Sequence, residues 1–191
     1  MANEFYALMA RMRFITRWGL MRNTFSENDQ EHSFQVAVLA HALALIRREI
    51  LNLPGPEPDR CAVAALYHDV TETLTGDLPT PIKYHNADIK GAYKQVERIA
   101  AQRVLDMVPE ALRGAYEPLV MESDGEVKKI VKAADKLSAH LKCLEEQKTG
   151  NHDFDFAARQ TWEAMQAMDS PELHWFLENC LPAFFLTIDQ L

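Results

Sequence analysis

An imidazole and a carboxylate stand side by side at His68-Asp69, near the end of an apolar stretch that predicts a helix. Adjacent residues on a helix project about 100° apart, so these two side chains can reach one point only if it lies just off the helix between them. A divalent cation is such a point. Imidazole suits zinc, cobalt, nickel or iron, and carboxylate oxygens also admit manganese and magnesium, so the pair alone does not choose the metal. The pair therefore predicts a metal site that takes further ligands from elsewhere in the chain.

Two more residues could complete such a site, although each has an ordinary structural explanation when taken alone. His32 begins an apolar row of a predicted helix, where a histidine is most often a hydrogen-bonded core residue, as we expect of His41 on the other face. Asp135 lies at the edge of the apolar stripe of a later helix, where an aspartate most often pairs with a lysine of its own helix. As a set with His68 and Asp69, both are better explained as metal ligands.

An arginine and a tryptophan, Arg17 and Trp18, come at the predicted end of the first amphipathic helix. The ordinary interpretation makes Arg17 a surface cation near a helix C-terminus and Trp18 a hydrophobic lid. The alternative is an anion site, because the arginines of the first 22 residues outnumber their single acidic residue, Glu4, in a chain of net charge −8. A small anionic ligand would find basic groups here, whereas the overall negative charge argues against general nucleic-acid binding.

Helical periodicity dominates the 191 residues, and no stretch alternates polar and apolar residues over the length of a strand. We expect an all-α fold, a single-domain helical bundle over residues 1–191, with the metal and substrate site within residues 17–135. The aromatic-rich helices of residues 153–191 are expected to complete the core or to form a dimer interface.

Capping residues and apolar stripes predict where the main helices begin and end. The first helix should run from residue 5 to about residue 17–19. The second should begin near Glu31-His32 after a cap at Ser26 or Asp29, and the third should follow a cap at Asp59 and carry His68-Asp69. A long helix over about residues 126–147 should follow a cap at Ser123 or Asp124.

Cysteine usage and the apolar runs bear on the compartment. The three cysteines lie far apart with no CxxC spacing, which predicts neither a disulfide framework nor a structural zinc knuckle. Polar and charged residues interrupt the apolar residues at the N-terminus, so we expect no signal peptide there. The longest apolar run is too short to span a bilayer. We therefore expect a cytoplasmic protein with no membrane partner.

The order His32, His68-Asp69, Asp135 follows the H…HD…D pattern, and the chain resembles the HD-domain metal-dependent phosphohydrolases. It is most similar to the bacterial 5′-deoxynucleotidases of the YfbR type, which have an Arg-Trp pair near the N-terminus, E-H-S at the second helix and a TGDLPTP loop. Here these motifs are Arg17-Trp18, Glu31-His32-Ser33 and residues 75–81. The likeness runs from about residue 5 to residue 148, and Gly19 after the Arg-Trp pair is a departure that could loosen the substrate wall.

The resemblance implies a homodimer that binds one divalent cation per subunit, cobalt, manganese or a similar metal. It further implies hydrolysis of deoxyribonucleoside 5′-monophosphates, so that the partner is a small deoxynucleotide and not a nucleic-acid polymer. The chain has no His-His dipeptide, which favours one metal over the two-metal centres of other HD branches. Two alternatives stay open: hydrolysis of another small phosphate ester or a nucleoside triphosphate, and a non-catalytic nucleotide-binding HD protein.

Roles for individual residues follow from the resemblance and from the needs of phosphate-ester hydrolysis. The metal ligands are expected to be His32, His68, Asp69 and Asp135, of which His32, Asp69 and Asp135 also border the substrate. Glu72 should orient or deprotonate water and Asp77 should contact the sugar or assist the leaving oxygen, or the reverse.

Binding of the nucleotide falls to residues on either side of this cluster. Arg17 should bind the phosphate, and Trp18 should pack on the deoxyribose, where it would crowd a 2′-hydroxyl. Leu78, Pro79 and Thr80 should close the pocket mainly through backbone groups. The alternative for the loop is a well-made turn in which Thr75 and Asp77 bond only local groups.

Overall fold

A computed structural model of the chain describes residues 4–83 and 85–190, with the side chains of Thr80 and Pro81 left undescribed. Over these residues the chain forms α-helices joined by turns, short 3₁₀ segments and a π-helical turn, and it contains no β-strand. The all-α prediction is confirmed. The helices are α1 (Phe5–Met9), α2 (Asp29–Leu45), α3 (Pro58–Leu66), α4 (Glu72–Thr75), α5 (Thr80–Lys83), α6 (Ala87–Asp106), α7 (Arg113–Val120), α8 (Gly125–Lys148), α9 (Asp155–Gln166) and α10 (Pro171–Asn179).

The main core forms where α2 packs against α3 and α8, with α9 and α10 closing it from the C-terminal side. Its fully buried side chains come from apolar rows of these helices, such as Leu43, Leu137 and Met165. Leu173 and Phe176 of α10 also belong to it. Burying such side chains is the main favourable term in folding, so this packing holds α2, α3 and α8 at fixed distances from one another.

A second, smaller core lies under α6 and α7 and includes Phe5 of α1 and Val70. Val70 follows directly after His68-Asp69 and is completely buried. The second core therefore anchors the backbone that carries the histidine and the aspartate.

The long helix α8 agrees with its prediction to within one residue at each end. Its cap is Asp124, whose side chain accepts hydrogen bonds from the amides of Glu126 and Val127. Here local capping chemistry and the apolar stripe point to the same boundary.

The first helix is shorter than predicted, because the chain leaves helical geometry well before Arg17. Ile15 is extended, with φ −92° and ψ 110°. Its carbonyl accepts from the amide of Asp29 at 3.1 Å, and the amide of Arg17 donates to the carbonyl of Glu27 at 2.9 Å. This short antiparallel pairing, with a single bridge between Thr16 and Asn28, satisfies backbone groups that a longer helix would have used itself.

The caps predicted for α2 were wrong. Asn28 caps the helix by accepting from the amides of Gln30 and Glu31, and the Glu31 side chain returns a bond to the Asn28 amide. This capping box leaves Asp29 as the first helical residue, with its side chain completely buried.

The cap predicted for α3 was wrong as well. The helix begins with Pro58 after Glu57, so Asp59 lies inside the first turn. It also ends at Leu66, so His68-Asp69 lies in a turn beyond the helix and not on it. None of the described helices is both long enough and apolar enough to cross a membrane.

Candidate metal centre and substrate site

The turn after α3 presents His68 and Asp69 toward α2 and α8. Within it the amide of Val70 donates to the carbonyl of Tyr67 at 3.2 Å, and the amide of Glu72 donates to that of Asp69 at 2.9 Å. His68 Nδ1 lies 2.7 Å from the carbonyl oxygen of Ala65, which can only accept, so Nδ1 donates. In the neutral ring, the lone pair therefore lies on His68 Nε2.

His32 is oriented in the same way by α8. The hydroxyl of Ser138 donates to Gln35 Oε1 at 2.6 Å, so the Ser138 oxygen is left to accept from His32 Nδ1 at 3.1 Å. His32 is completely buried, and these two hydrogen bonds fix which of its ring nitrogens carries the proton. An imidazole held through Nδ1 in this manner offers Nε2 as a metal ligand.

Four candidate ligand atoms converge where α2, the turn after α3, and α8 meet. His32 Nε2 lies 3.1 Å from Asp135 Oδ1 and 3.8 Å from Asp69 Oδ2. His68 Nε2 lies 3.1 Å from Asp69 Oδ2 and 4.0 Å from Asp135 Oδ1. Ligand bonds of 2.0–2.2 Å around one cation place neighbouring ligand atoms about 3 to 3.5 Å apart, so the spacing suits a metal site.

A buried nitrogen without a partner supports the same interpretation. His68 Nε2 makes no aligned hydrogen bond despite its short distance to Asp69, and it is shielded from solvent. A buried polar atom left in this state costs free energy unless something else binds it. The donor set, two imidazoles and two carboxylates, therefore fits a divalent transition metal, and His32, His68 and Asp135 alone already form a group that could hold one.

The charged groups of the cluster shift one another's pKa values. Burial acts to lower the pKa of His68, but the carboxylates of Asp69 and Asp135 outweigh it and raise that pKa to about 9. Burial acts to raise the pKa values of Asp69 and Asp135, yet the neighbouring histidines hold both well below their usual range. The two carboxylates are thus anionic and attract positive charge into the cluster.

Arg17 is not a surface cation, which excludes the ordinary interpretation of this residue. Its side chain is only 13% exposed, and Nη1 donates to Asp69 Oδ2 at 3.1 Å and lies 3.9 Å from Asp29 Oδ1. Nε donates to Glu27 Oε2 at 3.3 Å. Of the arginines in the first 22 residues, only Arg17 contacts the predicted ligands; Arg22, for example, is 84% exposed beside Asp153.

Trp18 lies beside Arg17 in a backbone conformation that is rare for a bulky residue, with φ +57°. Its indole packs on Phe154, with ring centroids 5.2 Å apart, and Nε1 donates to Glu27 Oε2 at 3.1 Å. Its carbonyl accepts from the amide of Met21 at 2.9 Å. These contacts hold the ring in place and offset the cost of the left-handed backbone.

Glu72 begins α4 next to the candidate ligands, within a group of carboxylates that includes Asp29 and Asp69. Its Oε2 is buried and makes no hydrogen bond. Burial, followed by the charges of Asp69, Asp29 and Asp77, raises the pKa of Glu72 to about 10. Asp29 was predicted only as a possible cap, and its place beside Glu72 and Asp69 was not expected.

The loop after α4 lies along the same side of the molecule. Asp77, Leu78 and Pro79 are half-buried. Burial raises the pKa of Asp77, and the positive charge of Arg17 offsets only part of that rise. The Pro79 carbonyl accepts from the amides of Ile82 and Lys83, and these hydrogen bonds form the first turn of α5. Thr80, predicted to close the pocket mainly through its backbone, is the first residue of α5, and its side chain lies outside the described part of the structure.

Sequence reasoning missed Ser138 and Glu27. Ser138 lies three residues after Asp135, on the same side of α8, so helical spacing could have identified it as a partner for His32. Glu27 follows no periodic pattern, and its contacts with Arg17 and Trp18 come from the extended pairing that the sequence did not reveal.

The chain matches a family described as "5′-deoxynucleotidase YfbR-like" over residues 4–184. It is 45% identical to a 5′-deoxynucleotidase of Vibrio atlanticus, over 99% of this chain and 98% of that protein. It is also 45% identical to the 5′-deoxynucleotidase YfbR of Shigella boydii, over 99% of this chain and 96% of that protein.

Solved structures show the same fold. An HD-domain phosphohydrolase from Listeria innocua superimposes with a TM-score of 0.78 at 18% identity, covering 97% of this chain and 90% of its own. The HD phosphohydrolase DatZ of cyanophage S-2L, solved bound to dA and one catalytic Zn²⁺ ion, superimposes with a TM-score of 0.67 at 26% identity, covering 92% of this chain and 95% of its own. The resemblance drawn from the motifs is thus confirmed, and this chain belongs to the YfbR-like 5′-deoxynucleotidase family of HD-domain phosphohydrolases.

Proposed function

We propose that this protein hydrolyses deoxyribonucleoside 5′-monophosphates to deoxyribonucleosides and inorganic phosphate, with one divalent cation in each chain. The observation that carries the proposal is the meeting of two oriented imidazoles and two anionic carboxylates next to a buried arginine, in a chain of this family. Both halves of the substrate have a counterpart here. The phosphate would contact Arg17 and the bound cation, and the sugar would contact the indole ring of Trp18.

The residues that would hold the cation are His32, His68, Asp69 and Asp135. When bound there, a divalent cation would activate water and draw charge from the phosphoryl oxygens, which are the two main needs of phosphate-ester hydrolysis. Cobalt and manganese suit the mixed nitrogen and oxygen donors, as do zinc and iron. The unpartnered His68 Nε2 and the fixed orientation of His32 support this ligand set.

Arg17 would bind the phosphate. Its Nε and Nη1 are held by Glu27 and Asp69, and no contact among the described residues uses Nη2. A guanidinium held on one side keeps its other donors at a fixed angle, which suits two-point binding of phosphate oxygens. Asp69 would then connect the cation to the phosphate-binding group.

Glu72 would orient the attacking water and accept its proton. A general base works best when its pKa lies near the working pH, and the value of about 10 is set by burial and by three negative neighbours. With a cation held by the four ligands, its positive charge would oppose those negative neighbours and would lower the pKa of Glu72. Asp77 would donate a proton to the leaving sugar oxygen or hydrogen-bond the sugar, since burial keeps the pKa of its carboxyl raised.

Trp18 would form the wall against the deoxyribose. Its ring is held by Phe154 and Glu27 and cannot move aside at low cost, so an added 2′-hydroxyl would meet a fixed surface. Leu78, Pro79 and Thr80 would complete the pocket around the base and sugar. Backbone contacts of that kind would accept several bases.

A substrate panel tests the proposal. Purified protein supplied with Co²⁺ or Mn²⁺ should release phosphate from deoxyribonucleoside 5′-monophosphates and much more slowly from ribonucleotides or 3′-monophosphates. Equal rates on deoxy and ribo substrates would contradict the role of Trp18. Faster release from another phosphate ester or a nucleoside triphosphate would replace the substrate, and nucleotide binding without phosphate release under every metal would establish a non-catalytic binder.

The proposal includes a cytosolic homodimer. The cysteines of the described residues, Cys61, Cys143 and Cys180, are free thiols, as a reducing compartment favours. The exposed Phe34 and Val38 of α2 offer apolar surface to a second copy. Sedimentation velocity measures the oligomeric state directly.

A further inference from the structure

Glu27 lies between the two residues proposed to bind the nucleotide. A single atom, Oε2, accepts from Arg17 Nε at 3.3 Å and from Trp18 Nε1 at 3.1 Å. The side chain is only 11% exposed, so the two bonds are shielded from water. One carboxylate oxygen therefore orients a guanidinium and an indole at the same time.

The backbone makes this contact specific to Glu27. The Glu27 carbonyl accepts from the amide of Arg17 at 2.9 Å, and the adjacent bridge joins Thr16 to Asn28. The residue is thus fixed by its main chain directly opposite the pair that its side chain binds. A carboxylate elsewhere on the loop would not have this register.

Trp18 depends on Glu27 more than its packing suggests. Indole has one polar atom, a donor, and among the described residues its acceptor is Glu27. The backbone of Trp18 is left-handed at φ +57°, so its position relies on the contacts made by the side chain and the loop. The indole packs on Phe154 at an interplanar angle of 54°, and the bond to Glu27 fixes the direction in which Nε1 points.

Arg17 depends on Glu27 for a different reason. Its other short bond goes to Asp69, which is also a proposed metal ligand. Without Glu27, the guanidinium would be tied only to carboxylates at the metal cluster and would be free to rotate toward them. The bond from Nε to Glu27 keeps Nη2 directed away from Asp69.

We propose that Glu27 is a positioning residue that sets the phosphate-binding group and the sugar wall together, so that discrimination against ribonucleotides depends on it. This inference rests on the proposed deoxynucleotidase function. Glu27 touches neither the proposed metal ligands nor the reacting atoms; it acts through Arg17 and Trp18. The competing explanation is a carboxylate that only stabilises the fold.

Three substitutions separate these explanations. Glu27→Gln keeps the shape and removes the charge, and Glu27→Asp keeps the charge and shortens the reach. Glu172→Gln is the matched control, because Glu172 is also buried and accepts from an arginine, Arg47 Nη1, at 2.9 Å, within a contact between α10 and the π-helical turn Ile46–Ile50 that follows α2. It should lower stability without changing substrate preference.

The kinetic measurement compares deoxyribonucleoside and ribonucleoside 5′-monophosphates. Loss of a charged hydrogen bond at each of two binding groups should lower kcat/KM for the deoxy substrate in Glu27→Gln by about tenfold or more. The preference for deoxy over ribo should fall as well, and Glu27→Asp should restore part of it. A Glu27→Gln enzyme with wild-type preference would overturn the inference.

A second measurement does not depend on activity. The chain has three tryptophans, so a ¹⁵N–¹H NMR spectrum should show three indole resonances, and Trp18→Phe identifies the one from Trp18. Glu27→Gln should shift the Trp18 resonance and leave the other two in place. An unmoved Trp18 resonance overturns the inference even if activity falls, whereas wild-type protein inactive on every deoxyribonucleotide overturns the proposed function and the inference with it.

Discussion

Replacing Ser138 with alanine should weaken metal binding without touching a ligand. The Ser138 hydroxyl accepts from His32 Nδ1 at 3.1 Å and donates to Gln35 Oε1 at 2.6 Å, and both Ser138 and His32 are fully buried. Alanine leaves the Nδ1–H without an acceptor. The imidazole is then free to carry its proton on Nε2, which competes directly with metal binding.

Two magnitudes follow from this geometry. Loss of a partner that orients a metal-binding histidine lowers metal affinity by about 10- to 100-fold. A buried donor left unpaired costs about 1–3 kcal/mol of unfolding free energy. For a chain of this length each kcal/mol lowers Tm by about 2–4 °C. Ser138→Ala should therefore melt roughly 2–12 °C below wild type and bind Co²⁺ at least about tenfold more weakly.

The chain supplies a matched control in α9. Thr161 Oγ1 lies 2.8 Å from Nδ1 of the buried His140, and it donates to backbone carbonyls, so it accepts from that histidine as Ser138 does from His32. Thr161→Val removes the same kind of hydroxyl from a buried histidine that is not a proposed metal ligand. It should lose comparable stability and keep its metal affinity.

Calorimetric titration with Co²⁺ and thermal unfolding of the three proteins complete the test. If Ser138→Ala binds Co²⁺ as tightly as wild type while both variants lose stability, then His32 Nε2 is not a metal-binding atom. That result would refute the reasoning from the orientation of the ring.

Three further predictions address the base, the sugar wall and the loop anchor. Glu72→Gln should keep the bound metal but lose about 10²- to 10⁴-fold in kcat, and retained turnover would exclude Glu72 as the base. Trp18→Ala should raise the rate on ribonucleotides relative to deoxyribonucleotides, and an unchanged ratio would contradict the proposed wall. Glu146, in the last turn of α8, accepts from the amide of Thr24 at 2.9 Å and so anchors the loop before α2. Burial acts to raise the pKa of Glu146, but hydrogen bonds, first from Lys142, outweigh it and lower that pKa to about 2 from the ordinary 4.5. The stability that these bonds provide is therefore present above pH 4.5 and lost as the pH falls toward 2. The Tm difference between wild type and Glu146→Gln should accordingly shrink on acidification, and a constant difference would show that the charge of Glu146 does not stabilise the loop.

The candidate ligands could be recognised in the sequence because they interrupt apolar rows. A carboxylate or an imidazole in such a row is costly to bury alone, so each one required a partner. The same logic and a strong cap located α8 with Asp135 and Ser138 on one face. Local chemistry was sufficient there because the helix is long and regular.

The N-terminal segment could not be predicted in this way. Arg17 reaches Asp69 across 52 residues of sequence, and its backbone pairs with Glu27 in a short extended contact that has no periodic signal. The interpretation of Arg17 as a surface residue failed for that reason. Asn28, and not Asp29, caps α2, because the choice between two neighbouring caps depends on which side chain the rest of the fold buries.

The turn after α3 was the other failure. The apolar pattern continues through His68-Asp69, yet the helix ends at Leu66. Burial of Val70 in the second core outweighs two more helical residues, and core packing of this kind depends on α6 and α7 far along the chain. The four side chains predicted as ligands do lie together, but the backbone that presents His68 and Asp69 is a turn and not the predicted helix.

The central claim is that His32, His68, Asp69 and Asp135 bind one divalent cation. Anomalous diffraction at the cobalt edge, from crystals of the cobalt-loaded protein, tests it most directly. We expect one strong peak per chain at about 2.0–2.3 Å from a nitrogen or an oxygen of each of these four residues. A peak at any other place in the molecule, or no peak in protein that turns over substrate, would contradict it.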